Sequence, residues 1–170
     1  MRVLAMATAV LVAVSTTLVA SLPAQAAPSV SRAELISRAR VWQTANNGGP
    51  VPYSQNHYWT DGYRQDCSGY VSMAAKLPAP GAITIDLNDR LHSSGIDMVD
   101  LRQGDIVVNP VGDSANGRHV VIFDRWVSQY KTSYYAYEQR SGAGTSYRVL
   151  RYGLVAGDNY RARRLLNVTG

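Results

Sequence analysis

Cysteine is nearly absent from this chain. Its 170 residues include one, Cys67, which rules out an internal disulfide and every cysteine-based metal knuckle. Histidine is scarce too, with three in the chain. There is no HExxH, no CxxC and no histidine pair at ligand spacing, so no metal is expected. The sequence also lacks a glycine-rich phosphate loop, and no cofactor is expected. The net charge of +5 is spread among acidic residues rather than gathered in a block, apart from "YRARRLL" near the end. A mild positive balance suits anionic polymers or plain solubility and does not argue for nucleic acid. Repeats, low-complexity segments and internal domain boundaries are missing as well.

One long apolar run is present, at the start. "MRVLAMATAVLVAVSTTLVASLPAQA" has Arg2, an uncharged stretch interrupted by Ser15, Thr16 and Thr17, then Pro23 and a small-residue Ala-Gln-Ala site. This pattern predicts a secretory signal peptide over residues 1–26 rather than a membrane anchor. Residues 27–170 then form a single exported domain with a net charge of about +4 once Arg2 is removed. No other segment approaches membrane-spanning length, so a secreted protein of the cell envelope or exterior is expected. Oligomeric state is not legible.

The mature part divides into two textures. Ser31 and Glu34 form a capping box before a helix, with Val30 and Leu35 placed as a hydrophobic staple. Residues 46–50, Asn-Asn-Gly-Gly-Pro, end that helix. Residues 51–65 read as a polar, aromatic loop with a turn at Asp61-Gly62. Asp66 caps a second helix over residues 67–76, stopped by Pro78 and Pro80, and residues 84–95 suggest a third, short one. From Asp105 onward the period becomes two. "DIVVNP", "RHVVIFDRWV", "SYYAYEQ" and "YRVLRY" read as strands, with "YRARRLL" as a last edge strand. Helices first and antiparallel strands after predict an α+β fold with N-terminal helices packed on a small antiparallel sheet.

A lone thiol at a helix start has a chemical consequence. The first N–H groups of a helix lack internal partners and carry the positive end of the macrodipole, and both favour a thiolate over a thiol. Such a nucleophile needs a base, and the base needs an orienting partner. His57 sits in the polar loop and His92 beside charged and hydroxyl residues. His119 opens the strand "HVVIFDRW", where a side chain at a sheet rim meets a cleft. On the next strand, alternation puts Glu138 on the face of Ala136, in position to accept the second imidazole N–H. Gln139 takes that place if the register slips by one residue.

The stretches "DCSGYVSMA", "DLRQGDIVV" and "HVVIFDRW", in this order, resemble the NlpC/P60 cysteine peptidases of bacterial cell-wall turnover, over about residues 50–140. The resemblance implies a papain-like fold and hydrolysis of amide bonds in peptidoglycan stem peptides. It implies Cys67 as nucleophile and His119 as base, with Tyr53, Asp66 and Ser68 in the pocket for the substrate's amino end. The Gly-Gly turn common in the family after that tyrosine is missing from "YSQNHYWTDG". "YEQ" is similar to the Glu-bearing strand of the related CHAP amidases. Three other readings stay open on sequence: a transglutaminase-like acyltransferase, a non-catalytic wall- or glycan-binding module using some of the eleven tyrosines and three tryptophans, and a secreted toxin or signalling enzyme on this fold acting on some other amide or acyl ester.

Overall fold

The computed structural model describes residues 27–113 and 117–170; the expected signal peptide lies outside the described residues. The chain begins with a short strand β1 (Val30–Ser31) and helix α1 (Arg32–Val41). Ser31 is the N-cap, its Oγ accepting from the Glu34 N–H at 3.2 Å. The Glu34 carboxylate pairs with Lys76 at the end of the next helix. Val30 and Leu35 are both buried in the core. Helix α2 (Cys67–Ala74) follows the irregular segment 50–65. It packs on α1 through Trp42 and Tyr70, whose rings lie 5.5 Å apart, and the Tyr70 hydroxyl donates to Ala39 O at 2.7 Å.

Helix α3 is shorter than the sequence suggests, spanning Thr84–Leu87. The remainder of that stretch turns, and Ser93–Gly95 forms strand β2. The other strands are β3 (Ile106–Asn109), β4 (His119–Trp126), β5 (Tyr134–Arg140), β6 (Gly144–Leu150), β7 (Arg161–Leu165) and β8 (Val168–Thr169). β8 pairs in parallel with β1, and the remaining six make an antiparallel sheet in the order β2-β7-β3-β4-β5-β6. "YRARRLL" is therefore an interior strand and not the edge. β2, too short and polar to announce itself, covers its outer side.

Both faces of the sheet are covered, so the molecule is α+β with one mostly antiparallel sheet. Ile106, Val108, Val120, Ile122 and Tyr137 face α1 and α2. Their alternating neighbours Val107, Val121, Phe123 and Ala136 pack under Leu101, Met98, Tyr152 and Tyr160 from the connecting segments. The Gly104-Asp105 pair fastens the layers. Gly104 turns at φ +84°. Asp105, fully buried, accepts from Arg32 of α1 at 2.9 Å and from Arg164 of β7 at 2.7 Å. A buried carboxylate shared by two guanidiniums is a crossbrace between α1 and β7, and removing the carboxylate strands both cations.

Candidate active site

Cys67 is the first residue of α2, and its place there follows from its neighbours. Asp66 caps the helix, its Oδ1 accepting from the Gly69 N–H at 2.7 Å and from Ser68 Oγ at 3.1 Å. Arg64 neutralises Asp66, and its Nη2 donates to Ser68 Oγ at 3.0 Å and to Ala82 O at 3.1 Å. Gly69 is required for a reason sequence did not reveal: a Cβ there would lie 2.0 Å from the Arg64 carbonyl oxygen. The backbone thus doubles back against the helix start and leaves Cys67 5 % exposed. Its Sγ also lies 3.9 Å from Thr84 Oγ1, contributed by α3.

His119 begins β4 at the rim of the sheet. The register pairs Ile122 with Tyr137, so one step further Glu138 stands across from Val121, diagonal to His119 on the same face. His119 Nε2 lies 3.1 Å from Glu138 Oε2, and Cys67 is close enough to the ring to favour its protonated form. Nε2 being engaged by the carboxylate, Nδ1 is the nitrogen left to serve the thiol. Burial lowers the imidazole's proton affinity. The proximity of Cys67 and the hydrogen bond to Glu138, with their negative charge, outweigh it and lift the pKa from 6.5 to about 9.

Glu138 is wholly buried. Burial favours its neutral form, but hydrogen bonds from His119 and Arg148 overcome this and hold its pKa below the ordinary carboxylate value. Oε1 accepts from Arg148 Nε and, at 3.4 Å, from Ser146 Oγ. Arg140 Nε approaches the same oxygen at 3.1 Å as an ion pair without hydrogen-bond alignment. Arg148 Nη2 continues to the Tyr152 hydroxyl at 3.2 Å, and the Tyr152 ring meets His119 edge-on at 5.9 Å. Tyr152 stacks in turn on Tyr160 at 4.3 Å. The contacts close a circuit: His119 to Glu138 to Arg148 to Tyr152 and back to His119. Every member of it restrains the imidazole, which is what a base with a fixed tautomer needs.

Gln139, the alternative to Glu138 by a one-residue slip, points to the other face. Its Nε2 lies 3.2 Å from the carbonyls of Val51, Pro52 and Gln65, and its Oε1 accepts from Thr145 at 3.1 Å. It fastens the segment leading to Cys67 and does not touch His119. Of the other histidines, His57 is exposed, with Nδ1 3.2 Å from Ser54 Oγ. His92 lies between α3 and β2 rather than in a helix.

Tyr53, Asp66 and Ser68 share with Cys67 a small cavity of about 60 Å³, closed by Gln55, Thr84 and Arg118. Burial raises the Tyr53 pKa, against the hydrogen bond that Gln55 gives its hydroxyl at 3.0 Å. A larger, open groove of about 940 Å³ runs between residues 95–102 and β7, and it contains neither Cys67 nor His119. Among the described residues no cluster of three or more His, Cys, Asp or Glu is arranged to hold a metal ion. No helix among them is long and apolar enough to cross a membrane. The sequence reading missed Arg118, Arg148, Tyr152 and Thr84. Of these only Arg118, next to His119, carried a positional signal.

Neither a family model nor a curated protein matches the sequence. Among solved structures, the fold is similar to that of a Staphylococcus aureus protein described as similar to lipoprotein, NLP/P60 family, with a TM-score of 0.54 and 18 % identity. The likeness covers 88 % of this chain and 46 % of that one, so the chain spans less than half of the neighbour's length. At this identity it is the architecture that the two have in common: this chain has the α+β fold of an NLP/P60 family protein.

Proposed function

We propose that residues 27–170 are one exported domain that acts as a cysteine hydrolase of amide bonds, with peptidoglycan stem peptides as substrate. The observation that carries this reading is the imidazole of His119, hydrogen-bonded by the buried carboxylate of Glu138, with the thiol of Cys67 near enough to raise its proton affinity. The shared architecture with an NLP/P60 protein supports the wall-peptide assignment. In this reading the Cys67 sulfur attacks the scissile carbonyl carbon, and the carbonyl electrons move to its oxygen. Collapse of that intermediate expels the amine, which takes its proton from His119. Water then gives a proton to His119 and attacks the acyl carbon, and the bond from the acyl carbon to the Cys67 sulfur breaks, returning the thiolate beside the protonated imidazole. The Cys67 N–H at the helix start supplies one donor to the oxyanion, a contribution of about 3 kcal/mol. Tyr53 and Gln55 line the substrate side. Asp66 and Ser68, bound by Arg64 and Gly69, shape the pocket from behind.

The test is alkylation of the folded mature protein by iodoacetamide across pH and, in separate unmodified samples, incubation with solubilised wall peptides. Rapid modification of Cys67 that depends on His119, and release of new amino termini that stops in Cys67→Ala, is the expected result. A thiol that reacts only after unfolding overturns the reading.

A further inference from the structure

The carboxylate that holds His119 faces more positive charge than it can balance. Glu138 Oε2 meets the imidazole, while Oε1 receives Arg148 Nε and, at 3.1 Å, the unaligned Arg140 Nε. The register explains how two guanidiniums reach one oxygen. Glu138 stands across from Ser146, Arg140 across from Gly144 and Arg148 across from Ala136, so Arg140, Glu138, Ser146 and Arg148 share one face of β5–β6. The arginines approach Oε1 from opposite ends, with Ser146 Oγ between them at 3.4 Å. Among the described residues no other carboxylate pairs with either arginine. One negative charge thus serves two permanent cations, and a third whenever His119 is protonated.

This excess lies at the surface. β6 is the last strand of the sheet, and the Arg140 and Arg148 side chains are 43 % and 41 % exposed. Donors are left over as well. Arg148 Nη2 is taken by the Tyr152 hydroxyl, whereas Arg148 Nη1 and both Arg140 Nη atoms hydrogen-bond nothing among the described residues. Two like charges held on one oxygen repel, and an added anion relieves that repulsion while filling the idle donors.

We infer that Arg140 and Arg148 form a binding site for a phosphate group on the outer side of the β5–β6 edge. Paired guanidinium forks suit the several oxygens of a tetrahedral anion. A free phosphate and a phosphodiester within a polymer share this chemistry. The site has no residue in common with the cavity at Cys67, and it binds whether or not the thiol performs hydrolysis. Occupancy also reaches the imidazole. The groups around His119 are Cys67 from α2, Glu138 from β5, Tyr152 backed by Tyr160 from the segment between β6 and β7, Arg118 before it in the chain, and the two arginines behind Glu138. An anion on the arginines either sits behind Glu138 or draws a guanidinium away from it. Both leave more negative charge beside the imidazolium, so phosphate binding and protonation of His119 favour each other.

The test is an NMR titration of the folded protein in which sodium phosphate replaces sodium chloride at constant ionic strength. The signals read are the Nε–H groups of Arg140 and Arg148 and the Cε1 proton of His119. Both Nε–H signals should shift saturably, and the His119 midpoint should rise by about half a pH unit at saturation. Arg140→Gln should weaken binding about tenfold, and Arg140→Lys less. Dimethyl phosphate separates the sources. Saturable shifts with it mark a polymer phosphodiester as ligand, and shifts with inorganic phosphate alone mark a free or terminal phosphate; either supports the site. Arginine signals that stay still, or that shift without saturating, overturn it. Saturation of the arginines with His119 unmoved overturns the link to the imidazole. The wild-type titration decides these outcomes even if Arg140→Gln does not fold. Failure to release amino termini from wall peptides would overturn the hydrolase reading and leave this site standing.

Discussion

Replacing Glu138 by glutamine keeps the shape of the side chain and removes its charge. In the wild type the carboxylate is wholly buried and its Oε2 lies 3.1 Å from His119 Nε2. A charge-assisted hydrogen bond contributes about 1.5–3 kcal/mol and a neutral one about 1 kcal/mol. The imidazolium therefore loses about 1–2 kcal/mol, which at about 1.4 kcal/mol per unit lowers its pKa by about one unit. The direction is fixed by the wild-type value of about 9, which stands above the ordinary 6.5. A raised folded-state value means that His119 contributes stability in full below pH 6.5. That contribution declines as pH rises and is gone above pH 9. In Glu138→Gln the upper end of this window moves toward neutrality. Arg148 and Arg140, 41 % and 43 % exposed, are free to turn to water, so the fold survives the change. The assay is the pH titration of the His119 Cε1 proton by NMR, beside urea unfolding at pH 6, 7.5 and 9. Activity on an amide substrate at pH 7.5 falls about 10- to 100-fold. A His119 titration identical in the two proteins would refute the claim that Glu138 holds the imidazolium.

Three further expectations concern neighbours. Gly69→Ala forces a Cβ to within 2.0 Å of the Arg64 carbonyl oxygen; thermal unfolding should show a loss of about 3 kcal/mol or more, or no folded protein. Arg148→Gln should lower kcat and shift the alkaline limb of the pH profile while leaving KM within about twofold, because Arg148 acts on Glu138 and not on substrate; a change confined to KM argues against this. Gln139→Leu removes the side-chain hydrogen bonds to the Val51, Pro52 and Gln65 carbonyls and from Thr145, while backbone donors remain on Val51 O and Gln65 O, so urea unfolding should register a cost of about 1–3 kcal/mol, together with faster amide exchange around Cys67.

The helix at Cys67 was legible because its cap is local: Asp66, Cys67 and Gly69 are all within one turn. The strands bearing His119 and Glu138 were legible because alternation is local too, and the expected face for Glu138 is the one on which it lies beside His119. What escaped depends on pairing between distant segments. Arg148 reaches Glu138 only because the β5–β6 register sets Glu138 across from Ser146, and Tyr152 follows from it by chain continuity. β7 read as an edge because nothing in "SSG" advertises a strand; its pairing with Arg163–Leu165 is a tertiary effect. Residues 84–95 looked helical, but α3 ends at Leu87, where Ser93 Oγ donates to the Leu87 carbonyl and closes a turn in place of a further helical bond.

The adjacent residues Glu138 and Gln139 tie two fates together. One reaches the imidazole on one side of β5; the other grips the chain that delivers the thiol on the opposite side. A slip of β5 by a single position reverses both side chains at once, so there is no partially correct arrangement in which the sulfur is poised while the imidazole is loose. The register of β5 against β4 and β6 thus sets the imidazole contact and the anchoring of residues 51–65 together.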